Sequence, residues 1–174
     1  GTGLAFAEDP PSGALLIFRA KSISGESQPV AVPPPSSSPQ PTEPSMTRRS
    51  LLTAFGTLQG LMSALQVKFG NEDVGKYSYA VQGVGHVGME FVKLLHERGA
   101  KVFVTDINKE AVQRAVDDYG CEAVALDDIY DVDADVYSPT ALGGTVNEAT
   151  LQRLKCKIIC GAANNQLTSD EVAN

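Results

Sequence analysis

This 174-residue chain has only three cysteines, no apolar run of membrane length and no excess of positive charge. Its cysteines, Cys121, Cys156 and Cys160, are odd in number and lack metal-ligand spacing. They predict reduced thiols in a cytoplasmic compartment, with no disulfide framework and no metal site. No apolar run approaches the roughly 18 residues of a membrane span, so we expect no membrane contact. The 14 Lys and Arg are outnumbered by 21 Asp and Glu, and the net charge of −7 argues against nucleic acid as a partner.

Proline is almost absent beyond residue 44, since nine of the ten prolines precede that point and the tenth is Pro139. Proline fixes φ and removes an amide donor, so the Pro- and Ser-rich stretch 29–45 can form neither a helix nor a sheet ladder. We therefore predict that residues 1–45 are a disordered tail or linker. Within it, the apolar run 13–20 could form one strand or half a helix, but no partner segment lies nearby in the sequence.

Residues 46–71 are predicted to form an amphipathic helix that leads into a domain. Ser50 is a suitable N-cap, and Gly70 is a suitable end. Apolar residues recur there at three- and four-residue steps, namely Leu51, Leu52, Phe55, Leu58, Leu61, Met62 and Leu65.

Residues 72–174 alternate between short apolar runs and amphipathic segments. Strands are predicted at 77–82, 101–105, 123–126, 135–138 and 157–160, and helices at 87–98, 108–119 and 147–154. Such alternation is typical of a parallel sheet with right-handed crossovers. It predicts an α/β domain of the Rossmann type, a doubly wound sheet with strand order 3-2-1-4-5 and helices on both faces, truncated at its C-terminal end.

A complete GxGxxG motif, GVGHVG at 83–88, follows the first predicted strand and opens the first predicted helix. Gly83 would permit a tight turn, Gly85 a close approach to a pyrophosphate, and Gly88 close packing of helix on strand. The amides at the start of that helix could then bind phosphate. The alternative is a tight glycine turn that binds nothing.

Asp106 ends the second predicted strand, eighteen residues after Gly88. A carboxylate there can accept hydrogen bonds from the ribose hydroxyls of adenosine, and it would repel a 2′-phosphate. The nearest arginine along the helix that follows is Arg114, so the sequence favours NAD over NADP. Alternatively, Asp106 is only an acid at a helix start, beside Asn108.

Two further segments, SPTALGG at 138–144 and GAANNQL at 161–167, follow the fourth and fifth predicted strands. Ligands of open α/β sheets bind at this edge, and small residues there let a flat ring lie against the backbone. Asn164, Asn165 and Gln166 offer amides to a carboxamide or a ribose. On composition alone, both segments could equally be ordinary loops.

VQGVGHVG, VTDINKEAVQRAV, SPTALGG and GAANNQL, in this order and spacing, closely resemble the nucleotide-binding domain of the Glu/Leu/Phe/Val amino-acid dehydrogenases. The resemblance is to the leucine and phenylalanine branch, covers about residues 50–167, and includes the Thr-Ala-Phe-Gly sequence at 53–56.

The resemblance implies NAD-dependent oxidative deamination of an L-amino acid to a 2-oxo acid and ammonia. The partners are then NAD and a small amino-acid substrate, and full-length relatives are expected to be homo-oligomers. The implied cofactor-binding residues are Gly83, Val84, Gly85, His86, Val87, Gly88, Met89, Asp106, Ile107, Thr140, Ala141, Leu142, Asn164 and Asn165.

The sequence departs from the family pattern in several places. His86 stands where Asn is usual, and Thr140 replaces a common Cys. The family's glycine-rich segment with its catalytic lysine has no counterpart, and the lysines present are expected away from the cofactor edge. No catalytic residue is therefore assigned, and we expect a fragment or truncated gene product that is inactive alone. The alternatives are a stand-alone NAD-binding module and a product without function.

Overall fold

A parallel sheet forms the centre of the molecule, as seen in a computed structural model that describes residues 16–19, 45–141 and 145–163. Its six strands run in the order β1-β6-β5-β2-β3-β4, and every pairing is parallel. The strands are β1 (Leu16–Arg19), β2 (Ser78–Gln82), β3 (Lys101–Thr105), β4 (Glu122–Ala123), β5 (Val136–Pro139) and β6 (Ile158–Gly161). The order of β2 to β6 confirms the predicted doubly wound topology.

Among the described residues, four α-helices accompany the strands: α1 (Ser45–Phe69), α2 (His86–His96), α3 (Lys109–Tyr119) and α4 (Glu148–Leu151). Short 3₁₀ turns lie at Val74–Lys76 and Asp128–Tyr130. The ends of α3 follow the local sequence signals. The Asn108 side chain accepts hydrogen bonds from the amides of Glu110 and Ala111, and Gly120 ends the helix with φ of 62°.

The two faces of the sheet are covered unequally. Helices α1, α2 and α3 cover one face, where Tyr79 and Val81 join the larger of the two apolar clusters. Ala80 points to the opposite face and a smaller cluster, which the 3₁₀ turn at Asp128–Tyr130 and the residues flanking α4 help to form. This alternation follows from the two-residue repeat of a strand.

Strand β1 is a difference from the sequence-based expectation. Leu16–Arg19 lies within the segment predicted to be disordered, yet it pairs with β6 in register from Leu16 with Ile158 to Arg19 with Gly161. Its partner comes from the far end of the chain, so a search for a neighbouring partner segment could not find it. Residues 1–15 and 20–44, the rest of that prediction apart from Ser45, lie outside the described residues.

Helix α1 also corrects the prediction in two respects. It begins at Ser45, so Ser50 lies inside the helix, where it is buried, and is not the N-cap. The buried face consists of Ala54, Leu58, Leu61, Ala64 and Leu65. The apolar spacing predicts three further residues on that face, but their exposed fractions are 45% for Leu51, 69% for Leu52 and 48% for Phe55. Periodicity identifies apolar stripes, whereas the elements packed against the helix decide which part of a stripe is buried.

The three cysteines are unpaired. Burial raises the pKa of the Cys121 and Cys156 thiols to about 11 and that of Cys160 to about 12, so all three are protonated at neutral pH. In the part of the chain that the structure describes, no helix is long and apolar enough to cross a membrane.

Candidate functional site

Those predicted site residues that the structure describes lie at the carboxyl edge of the sheet, where β2 and β5 lie side by side. From β2 the chain enters α2 on the larger cluster's face, whereas from β5 it continues to α4 and the smaller cluster. The strand order therefore reverses at this point, and such switch points are the usual ligand crevices of open α/β sheets.

The glycine turn between β2 and α2 is tightly enclosed. Gly83 has φ of 101°, and a Cβ there would lie 2.5 Å from Cβ of Ala141. A Cβ on Gly88 would lie only 2.0 Å from the carbonyl oxygen of Gly83. Both positions therefore require glycine, and the first turn of α2 packs directly on the end of β2.

The amino end of α2, in contrast, is open. Gly85 is its N-cap residue, no side chain of the described residues caps the helix, and both Gly85 and His86 are exposed. A Cβ added to Gly85 would meet no heavy atom of the described chain within 4 Å. The amino end of α2 thus has no capping side chain from the described part of the chain, and the helix dipole favours an anion there. These features fit a pyrophosphate group.

Asp106 connects the end of β3 to this turn. Its Oδ2 accepts a hydrogen bond from the Val84 amide at 2.7 Å, and its Oδ1 accepts one from the Asn108 amide at 2.8 Å. Each carboxylate oxygen can accept two hydrogen bonds, so each keeps capacity for a ribose hydroxyl. The carboxylate therefore both organises the turn and offers acceptors beside it.

The other side chains near the turn differ in exposure. Ile107 is 83% exposed next to Asp106 and presents an apolar surface at the sheet edge. Val87 and Met89 are half-buried and pack against the larger cluster, so their side chains contribute to the core.

The loop after β5 closes the other side of the turn. The amides of Thr140 and Ala141 donate to the Gln82 carbonyl at 2.9 and 3.0 Å. The Thr140 hydroxyl lies 2.5 Å from the Gly83 carbonyl and 3.1 Å from that of Gln82. Ala141 is exposed. Three predicted site residues lie outside the described residues, namely Leu142, Asn164 and Asn165.

A polar cluster next to the turn is not predicted by the sequence analysis. The Gln82 side chain donates from Nε2 to the Tyr130 hydroxyl at 3.0 Å and accepts at Oε1 from the Tyr137 hydroxyl. Burial raises the pKa of Tyr137 above its usual range, so its hydroxyl is a neutral donor. These bonds hold the end of β2 from the smaller cluster's side. The available signal was a glutamine at the end of an otherwise apolar strand.

One lysine contradicts the expectation that all lysines lie away from this edge. Lys109 is the first residue of α3 and follows the carboxyl end of β3. It is exposed, and β2 lies between its strand and the β5 loop. Lys101 and Lys157, in contrast, stand at the amino ends of β3 and β6. Within the described ranges, no group of His, Cys, Asp and Glu side chains could hold a metal ion.

Comparison with known proteins finds relatives over most of the chain. No protein-family model matches the chain. It is 51% identical to the leucine dehydrogenase of Bacillus subtilis over 118 residues, 68% of this chain and 32% of that protein. It is 44% identical to the phenylalanine dehydrogenase of Caldalkalibacillus thermarum over 126 residues, 70% of this chain and 34% of that protein. The chain is homologous to these amino-acid dehydrogenases over about two thirds of its length.

A solved structure agrees with this homology. The L-tryptophan dehydrogenase of Nostoc punctiforme is 31% identical and matches with a TM-score of 0.69 over 74% of this chain and 41% of its own. The resemblance to amino-acid dehydrogenases that the motifs indicated is confirmed. The chain spans about a third of the length of the curated dehydrogenases that it matches.

Proposed function

We propose that this chain supplies the NAD-binding domain of an L-amino-acid dehydrogenase, which converts a substrate of the leucine or phenylalanine type to a 2-oxo acid and ammonia. The observation that carries the proposal is the uncapped amino end of α2, open above Gly85 and flanked by the Asp106 carboxylate. Homology to enzymes named for leucine and phenylalanine supports the substrate class.

In this proposal, each side of the turn binds a different part of the dinucleotide. The pyrophosphate would bind the first amides of α2, and the adenosine ribose would bind Asp106. Ile107 would pack against the adenine, and the nicotinamide half would lie along the Thr140–Ala141 turn. When bound, NAD accepts the hydride that leaves the α-carbon of the amino acid.

Electrostatics favour NAD over NADP in this site. Both carboxylate oxygens of Asp106 are held at the end of β3, because one accepts a hydrogen bond from the Val84 amide and the other from the Asn108 amide. A 2′-phosphate placed beside them would bring like charges together, and the chain as a whole carries a net charge of −7.

Deprotonation of the amino acid requires a further group. A general base must take a proton from the substrate ammonium and assist water attack, and its reach must extend to the nicotinamide side of the site. Lys109, the lysine at this edge, lies on the adenosine side. We therefore propose that this chain alone has negligible dehydrogenase activity. We further propose that the full-length enzyme is a cytoplasmic homo-oligomer.

Isothermal titration calorimetry of the full chain with NAD tests the proposal. We expect saturable binding at one site, competition by ADP-ribose, which carries the adenosine and pyrophosphate, and weaker binding of NADP. Nicotinamide mononucleotide lacks both the pyrophosphate and the adenosine and serves as a control that should bind far more weakly. Absence of saturable binding at millimolar NAD would contradict the proposed function.

A further inference from the structure

We infer that Thr140 is a positioning residue for the pyrophosphate-binding turn, acting through its hydroxyl on the carbonyl of Gly83. The inference rests on the proposed NAD site and gives Thr140, one of the cofactor-binding residues that the resemblance implies, a further role that acts through the backbone. Thr140 follows β5, whereas Gly83 follows β2, so this contact joins the two segments that flank the crevice.

The hydroxyl proton has two candidate acceptors, and the geometry selects one. Oγ1 lies 2.5 Å from the Gly83 oxygen and 3.1 Å from the Gln82 oxygen. The Gln82 oxygen already accepts from the amides of Thr140 and Ala141. Since a carbonyl oxygen has two lone pairs, Gln82 is satisfied and the single hydroxyl proton goes to Gly83.

The peptide between Gly83 and Val84 is consequently held at both ends. Its carbonyl accepts from Thr140, and its amide donates to the Asp106 carboxylate at 2.7 Å. Fixing both ends sets the plane of this peptide. Gly85 and α2 come next along the chain, so the plane also sets the direction in which the helix begins.

Helix α2 rests on the same carbonyl. A Cβ on Gly88 would lie 2.0 Å from the Gly83 oxygen and 3.0 Å from Oγ1 of Thr140. With so little space, a rotation of the Gly83 carbonyl would push against the first turn of α2. The Thr140 hydroxyl therefore stabilises the orientation in which the helix amides face the anion.

Three substitutions separate the hydrogen bond from the bulk of the side chain. Thr140→Val keeps the shape and removes the proton. Thr140→Ser keeps the proton and removes a methyl group. Thr140→Cys keeps a weaker donor on a longer bond. We expect NAD to bind Thr140→Val about three- to tenfold more weakly, the effect of one lost hydrogen bond, with Thr140→Ser near wild type and Thr140→Cys between them.

A ligand-free measurement makes the test independent of NAD binding. The amides of Gly83 and Val84 donate to the Thr105 carbonyl and to Asp106. In hydrogen exchange of the full chain without ligand, both should exchange faster in Thr140→Val and return toward wild-type rates in Thr140→Ser. Leu61 lies buried in the middle of α1, so its amide should be unaffected and reports global stability.

The outcomes distinguish this inference from the proposed function. If the wild-type chain binds NAD and Thr140→Val binds it equally well, Thr140 does not position the turn, and the NAD site stands. If no variant binds NAD, the proposed function fails, and the exchange rates of Gly83 and Val84 still decide whether Thr140 holds the turn. A rise in exchange shared equally by Leu61 overturns the inference, because it would show general destabilisation.

Discussion

The Val84 amide donates a hydrogen bond to the Asp106 carboxylate at 2.7 Å, so the acid at the end of β3 also holds the glycine turn after β2. Its second oxygen accepts from Asn108, which in turn caps α3. One carboxylate therefore links the turn, the adjacent strand and the next helix. A substitution at Asp106 must act on the turn as well as on any ribose bound there.

Replacing Asp106 tests the proposed preference for NAD. Asp106→Ala removes a charged acceptor, and hydrogen bonds to charged groups contribute roughly 1.5–3 kcal/mol, so NAD should bind at least tenfold more weakly. Asp106→Asn keeps the shape of the side chain but has a single oxygen that accepts hydrogen bonds. It should therefore reduce the difference in affinity between NAD and NADP. Calorimetry with both cofactors measures this, with Asp118→Asn, an exposed acid on α3, as the charge-matched control. Equal binding of the two cofactors to the unaltered chain would be incompatible with the role given to Asp106.

Two glycine substitutions should separate loss of NAD affinity from loss of thermal stability. Gly85→Ala places a methyl group in open space, so the thermal unfolding midpoint should be unchanged while NAD affinity falls, because the methyl group faces the proposed pyrophosphate. Gly88→Ala drives a methyl group to 2.0 Å from the Gly83 oxygen and should lower the midpoint itself.

Gly60→Ala is the matched control for both. It lies in the middle of α1 with open space around it, and it should raise stability by about 0.5–1 kcal/mol without affecting NAD. If Gly85→Ala bound NAD as tightly as the unaltered chain, the pyrophosphate would not bind beside Gly85.

Replacing Ser138 on β5 by alanine should stabilise the fold. It is fully buried, and its hydroxyl has no hydrogen-bond partner among the described residues. Ser138→Ala removes a desolvated, unsatisfied group, so urea denaturation should show a rise of about 1 kcal/mol in the free energy of unfolding. Thr57→Val is the control, since that hydroxyl donates to the Thr53 carbonyl at 2.9 Å, and its loss should be neutral or destabilising. A clear loss of stability in Ser138→Ala would mean that its hydroxyl is bonded.

The chain alone should not turn over amino acids. With NAD and L-leucine or L-phenylalanine at mildly alkaline pH, the absorbance of NADH should not rise above the background. A matched reaction with a complete leucine dehydrogenase establishes the detection limit. Turnover within the ordinary range, roughly 1–10³ per second, would show that this chain carries a general base that we have not identified.

Local signals predicted much of the fold. Asn108 and Gly120 mark the ends of α3 because cap hydrogen bonds reach only two to four residues along the chain. The alternation of β2, α2, β3 and α3 leads to a parallel sheet because crossovers of this kind have one preferred hand. The same reasoning failed for Ser50, since a helix can begin earlier than its best cap residue suggests.

Residue types and spacing alone therefore determined the doubly wound class, the glycine turn and the candidate residues around it. The tertiary structure decided that Leu16–Arg19 pairs with β6, that Leu52 and Phe55 stay exposed, and that Thr140 bonds Gly83. Each of these depends on segments far apart in the chain. Periodicity and capping act over one or two turns, whereas a contact between distant segments exists only once the sheet has brought them to the same edge.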